Sequence, residues 1–310
     1  MTQRPAVLIV QRHLAPLTPF LESRYDVYRL WEGPPVEAAQ EIGALVVAGE
    51  FELDRRLVES LPNLKLIACF TSGYDRIDVP WCRARGLEVT HAPAVNHEDV
   101  ADHAIGLILA ARRRIAEGDR AVRAGGWTPE SKTITPSLNG QRVGIVGLGH
   151  IGEAVARRAE ALRMAVSWWG PREKDAAWPR AGSLVELARG SDVLVVCCRA
   201  GDDNIGLISR EVIEALGPQG LLVNVARGQL VDEAALIAAL KDGRLGQAAL
   251  DVFEVEPTEA GRWADVPNTV LTPHTAGATG EAVQGMLGLL MENLAAAFAG
   301  APLKTPVPEA

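Results

Sequence analysis

Cysteine is scarce in this chain: Cys69, Cys82, Cys197 and Cys198 are the only four among 310 residues. Their spacing matches neither a metal site nor a disulfide-rich framework. Cys197 and Cys198 are adjacent within an apolar run and are expected to be buried strand residues. Positive charge is also short. Lys+Arg total 31 against 39 Asp+Glu, a formal net charge of −8. Nucleic acid and anionic membranes need clustered cations, so neither is an expected partner. A local basic pocket for one small anion is still allowed. The apolar stretch near the N-terminus is only about five residues long before Gln11-Arg12-His13, too short for a signal h-region. The apolar stretch from Ala282 to Gly300 carries Glu292 and is not expected to span a bilayer. There is no repeat of fixed period and no low-complexity tract. The expected setting is the reducing cytoplasm.

What is present is ordinary for a globular chain, with 48% apolar and 23% charged residues. At roughly 150 residues per domain, the length suggests two domains. Short apolar runs alternate with helical patterns. Val7–Val10, Ala44–Ala48, Leu66–Phe70 and Leu87–Thr90 read as strands, with a helix over Glu52–Ser60. Short continuous apolar strands between helices imply parallel strands buried on both faces. A long helix is expected from Glu98 to about Ala124, with Val100, Ala104, Leu107, Ile108 and Ala111 on its apolar face. A second series of strands begins at Arg142, and a final helix covers Glu281–Ala299. The expected fold is α/β, with two doubly wound parallel-sheet domains: a Rossmann-type cofactor domain and a smaller flavodoxin-like substrate domain. The substrate domain is expected to be discontinuous, residues 1–99 plus 283–310, around a dinucleotide-binding domain at 100–282.

Gly147-Leu148-Gly149-His150-Ile151-Gly152 directly follows the apolar run Val143–Val146 and precedes a helical stretch. In such a loop the first glycine allows a tight turn and the second lets a pyrophosphate approach the backbone. The third lets helix and strand pack closely. The strand before and helix after make this GxGxxG a dinucleotide signal. An NAD site places an Asp or Glu at the tip of the next strand. Here the segment is Gly170-Pro171-Arg172-Glu173-Lys174, with no acid at the tip and two cations close by. An adenosine 2′-phosphate would suit Arg172 and Lys174. NADP(H) is therefore the preferred cofactor, with NAD(H) possible.

Three later strands end in polar segments: Asn224-Val225-Ala226-Arg227-Gly228, Asp251 through Glu256-Pro257, and Thr272-Pro273-His274-Thr275-Ala276-Gly277. In a parallel sheet ligands bind beyond the carboxyl ends of the strands. Val225, Ala226 and Gly277 are accordingly expected against the cofactor. A 2-keto acid needs a guanidinium for its carboxylate and a proton for its carbonyl oxygen as hydride arrives. Histidine is the acid poised near neutrality, and a carboxylate beside it raises its pKa.

These segments, with Leu64-Lys65-Leu66-Ile67, Gly73–Asp78 and Glu98–Asp102, resemble the D-isomer-specific 2-hydroxyacid dehydrogenase family over essentially the full chain. Within it the chain is most similar to glyoxylate/hydroxypyruvate and hydroxyphenylpyruvate reductases. The resemblance implies Arg227 as substrate anchor, His274 as proton donor, Glu256 as its partner and Asp251 as holder of the nicotinamide amide. It implies backbone N–H groups at Ser72 and Gly73 as carboxylate donors, and a homodimer. The expected partner is a small 2-keto or 2-hydroxy acid. Two alternatives stay open: a dinucleotide-sensing interaction module like the corepressors that resemble this family, and a dehydrogenase preferring NADH.

Overall fold

The computed structural model describes residues 4–308. The chain forms two compact units. One runs up to Val95 and resumes at Gly280; the other is Asn96–Thr279.

The first unit has strands β1 Ala6–Ile9, β2 Asp26–Arg29, β3 Ile42–Val47, β4 Leu66–Cys69 and β5 Glu88–Thr90. They form a wholly parallel sheet in the order β2-β1-β3-β4-β5. This is the flavodoxin-type order. β1 and β4 are buried at every position, because layers cover both faces. The short helices α1 Thr18–Glu22, α2 Arg55–Glu59 and α3 Val79–Arg83 connect the strands. Asp54 caps α2 through the Arg56 N–H, and Asp78 caps α3 through the Trp81 N–H. Strand β2, Asp-Val-Tyr-Arg, has no sequence signal: it is a half-buried edge strand without alternation.

The final helix, Gly280–Ala299, is long and apolar enough to cross a membrane by length and composition, Glu292 notwithstanding. Here its Ala282, Met286, Leu290 and Leu294 bury in the core of the first unit. Its buried Asn293 holds the tail. The side chain donates to the Thr305 hydroxyl and accepts from the N–H groups of Lys304 and Thr305. The tail then covers β5, with Val307 N–H donating to Val89 O at 2.8 Å.

The second unit has strands β6 Arg142–Val146, β7 Ala165–Trp169, β8 Val193–Val196, β9 Leu221–Asn224, β10 Gln247–Leu250 and β11 Thr269–Leu271. All pairs are parallel, in the order β11-β10-β9-β8-β6-β7. The order reverses between β6 and β8, where crossovers leave to opposite sides, and there a crevice opens at the carboxyl ends. Its helices are α4 His97–Arg112, α5 Ile115–Arg123, α6 His150–Ala161, α7 Leu184–Arg189, α8 Arg210–Leu216 and α9 Glu233–Lys241.

The expected single helix from Glu98 to Ala124 is two helices. α4 buries Val100, Ala104, Leu107, Ile108 and Ala111, each larger side chain contributing roughly 1.5–3 kcal/mol. It stops where that buried face stops. Arg112 turns inward and donates to the carbonyls of Gln219 and Asp192 and to the Gln247 side chain. Arg114 takes a left-handed conformation, φ 50°, and α5 beyond it buries no residue. A second correction concerns Cys198. β8 ends at Val196, so both cysteines lie past the strand; Cys197 is buried and Cys198 is half-exposed.

Candidate active site

The glycine loop leaves β6 at the switch point. Gly147 has φ +91°, which a side chain resists, and a Cβ there would lie 2.6 Å from the Cys198 Cα. A Cβ on Gly152 would lie 2.2 Å from the Gly147 carbonyl oxygen, so α6 packs against the loop only through glycine. Gly149 differs: a Cβ there meets nothing within 4 Å. The loop is thus closed on its protein side and open on the other, at the N-terminus of a twelve-residue helix. This fits a pyrophosphate. Leu148 is buried in the core, Ile151 is half-buried against it, and His150 is exposed. The His150 ring lies 5.6 Å from that of His97 at the start of α4.

At the tip of β7, Gly170 is buried against Trp168, whose ring would lie 3.2 Å from a Cβ. The acid that binds ribose hydroxyls in an NAD site has little room there. Pro171 and Arg172 are exposed. Lys174 reaches back to the glycine loop, bonding the Leu148 carbonyl at 3.0 Å and pairing with Glu153 of α6.

Beyond β9, β10 and β11 the three polar strand ends meet. His274 Nδ1 lies 2.6 Å from Glu256 Oε2. Nδ1 is engaged there, so Nε2 is the nitrogen left to face a ligand. The Glu256 hydrogen bond raises the His274 pKa above its usual value; burial and the Arg227 charge oppose it. Burial alone would raise the Glu256 pKa, but hydrogen bonds from His274 and the Phe253 N–H hold it below the usual carboxylate value. Arg227 is half-buried and its charge acts on both groups. Asn224 shapes the turn before it, accepting from the Ala226 N–H and donating to the Arg227 carbonyl. The chain crosses the next loop at Gly228, where a Cβ would lie 1.8 Å from the Phe253 carbonyl carbon.

Asp251 is 1% exposed and organises the histidine turn. Its carboxylate accepts from the Thr272 hydroxyl at 2.6 Å and from the N–H groups of Thr275 and Ala276 at 2.9 Å. His274 sits in this turn at φ 53°, a left-handed conformation that costs energy for a non-glycine residue and persists only under such fixation. Val225 and Ala226 are buried, and a Cβ on Gly277 would meet Asn96 at the start of α4. In the first unit, the Ser72 hydroxyl donates to Ala92 O at 2.6 Å, and Ser72 O bonds His91 Nδ1 at 2.9 Å. Gly73 O accepts from the Thr71 hydroxyl.

Several supporting residues carried no distinct sequence signal. Glu233, 5% exposed in the first turn of α9, accepts from the Glu254 N–H and pairs with Arg262, so it braces the loop that carries Glu256. His103 of α4 bonds the Thr272 hydroxyl at 3.0 Å. Arg180 donates to the Gly170 carbonyl at 2.8 Å. In the sequence Glu233 is one more acid at a helix start, and the other two lie far from their partners.

A switch-point glycine loop beside an Arg, Glu, His cluster defines a dinucleotide-dependent oxidoreductase. Residues 105–276 match the family model for the D-isomer specific 2-hydroxyacid dehydrogenase NAD binding domain. The chain is 42% identical to hydroxyphenylpyruvate reductase from Plectranthus scutellarioides, over 95% of this chain and 97% of that protein. It is also 42% identical to a glyoxylate/hydroxypyruvate reductase A from Arabidopsis thaliana, over 93% and 94% of the two chains. Among solved structures, an NADPH-dependent glyoxylate/hydroxypyruvate reductase from Sinorhizobium meliloti, in complex with NADP and malonate, superposes with a TM-score of 0.91. Identity there is 34%, over 98% and 97% of the chains. The chain belongs to the D-isomer-specific 2-hydroxyacid dehydrogenase family, on its glyoxylate, hydroxypyruvate and hydroxyphenylpyruvate reductase side.

Proposed function

We propose that this protein is an NADPH-dependent reductase of small 2-keto acids, such as glyoxylate, hydroxypyruvate or aromatic pyruvates, yielding D-2-hydroxy acids. The observation that carries this reading is the His274–Glu256 pair, 2.6 Å apart and under the influence of Arg227. Arg227 holds the substrate carboxylate through two parallel bonds. NADPH, when bound, supplies the hydride that attacks the carbonyl carbon. His274 holds a proton on Nε2 and delivers it to the carbonyl oxygen, which gains the electron pair of the C=O bond. Glu256 stays ionised and stabilises the imidazolium. In oxidation the neutral imidazole takes that proton back. Asp251 holds the nicotinamide amide, and Gly147, Gly149 and Gly152 let the pyrophosphate sit on the loop.

The preference for NADPH rests on the strand tip. No carboxylate stands at Gly170, Trp168 crowds the place one would occupy, and Arg172 makes no hydrogen bond or ion pair among the described residues. The Sinorhizobium relative is named as NADPH-dependent and holds NADP. A homodimer is supported by exposed Ile115, Val122, Trp127 and Ile134 on and after α5, and light scattering checks it.

One group in two protonation states serves the two directions. kcat/KM for reduction should fall as pH rises through the raised His274 pKa, and kcat/KM for oxidation should rise. Profiles that move in the same direction would refute His274 as the proton carrier.

A further inference from the structure

The loop after β7 returns to pair with that strand. Trp168 N–H donates to Pro179 O at 3.0 Å, and Ala181 N–H donates to Trp168 O at 2.8 Å. The Trp168 indole N–H bonds Trp178 O at 3.0 Å. These bonds place Arg180 at the free edge of β7, beside its tip. The Arg180 guanidinium donates from Nη2 to the Gly170 carbonyl and lies 5.8 Å from the Trp168 ring centre. Arg180 pairs with no carboxylate among the described residues. A guanidinium has five N–H donors, so the bond to Gly170 leaves four. Lys174, by contrast, is committed to Glu153 and to the Leu148 carbonyl.

We propose that Arg180 is a specificity-determining ligand of the cofactor's adenosine 2′-phosphate, acting with Arg172 at the Gly170 tip. Lys174 then tethers this segment to the glycine loop and does not read the phosphate. This assignment rests on the NADPH reading above and deepens it. The physical logic has two parts. No acid stands at Gly170 to repel a phosphate, and a Cβ there would press on the Trp168 ring at 3.2 Å. A guanidinium fixed by a backbone carbonyl and by strand pairing meets the phosphate with little ordering cost.

The test uses two ligands that differ only in the 2′-phosphate, 2′,5′-ADP and 5′-AMP, titrated calorimetrically into the full-length protein. Arg180→Gln removes the charge and keeps a polar side chain, whose amide nitrogen falls two bonds short of the Nη2 that reaches the Gly170 carbonyl; the 5′-AMP arm reads any effect of losing that bond. Wild type should bind 2′,5′-ADP more tightly than 5′-AMP. Arg180→Gln should weaken 2′,5′-ADP by about 10- to 100-fold, the range of charge-assisted contacts, and leave 5′-AMP unchanged. If wild type discriminates and Arg180→Gln binds 2′,5′-ADP equally well, the Arg180 assignment is overturned and the NADPH reading stands. If the substitution weakens both ligands alike, Arg180 only shapes the strand tip and the assignment is again overturned. If wild type does not discriminate at all, the NADPH reading itself fails.

Discussion

Glu256→Gln removes the carboxylate charge with a nearly isosteric side chain: its amide oxygen can still accept from His274 Nδ1, while the bond that the second carboxylate oxygen accepts from the Phe253 N–H is lost. The native pair is 2.6 Å apart, with side chains 35% and 33% exposed. A hydrogen bond to a charged group contributes on the order of 1.5–3 kcal/mol, and solvent at a one-third-exposed pair screens this towards the lower end. At about 1.4 kcal/mol per factor of ten, a loss at that lower end is worth about tenfold in rate where the charged form is limiting. Burial and Arg227 both act against the imidazolium, so without Glu256 the pKa should settle at or below the ordinary histidine value. The sign follows from the folded state. The His274 pKa is raised, so the charged form persists above about pH 6.5 and is lost only as pH rises through the higher value. Reduction of glyoxylate by saturating NADPH, followed by absorbance across about pH 5.5–9.5, should show its alkaline limb displaced to lower pH in the variant. Above both limbs, that is about a tenfold lower kcat/KM. An alkaline limb that stays in place would refute the coupling between Glu256 and His274.

His274→Ala should cost about 10²- to 10⁴-fold in kcat while NADPH affinity, read by fluorescence titration, is retained. Arg227→Ala should lose roughly 2–5 kcal/mol of transition-state stabilisation, measured as kcat/KM for glyoxylate, and Arg227→Lys should recover little of it because the planar fork is gone. Gly228→Ala should destabilise the fold by about 3 kcal/mol, seen by denaturant titration, since its Cβ overlaps the Phe253 carbonyl carbon at 1.8 Å. A variant of wild-type stability would show that the two loops separate easily.

The parts legible in the sequence are those written in local pattern. Strand β6, the glycine loop and α6 announce the switch point, because they follow one another directly in the chain and Gly152 answers the close approach of the Gly147 carbonyl five residues back. Strands β1, β3 and β4 read as apolar runs because both their faces are covered. The residues not legible depend on partners distant in the chain. Nothing in the run Arg112-Arg113-Arg114 marks a helix end; α4 stops there, with Arg112 bonded to carbonyls 80 and 107 residues away and Arg114 left-handed. Arg180 carries no local signal; only the return of its loop places it beside Gly170. Glu233 reads as a helix-dipole acid until Glu254 and Arg262 close on it. Arg227, Glu256 and His274 are legible as residue types at strand ends, but the bond between His274 and Glu256 spans 18 residues and exists only once β10 and β11 lie side by side.

The most direct measurement is an initial-rate survey of the purified protein with glyoxylate, hydroxypyruvate and hydroxyphenylpyruvate, each with NADPH and with NADH, and with chiral analysis of the chiral products. The account predicts turnover of at least one of these acids, higher kcat/KM with NADPH than with NADH, and the D-isomer as product. A protein that binds NADPH but turns over none of them would contradict it and favour a dinucleotide-sensing role; faster turnover with NADH would contradict the cofactor assignment.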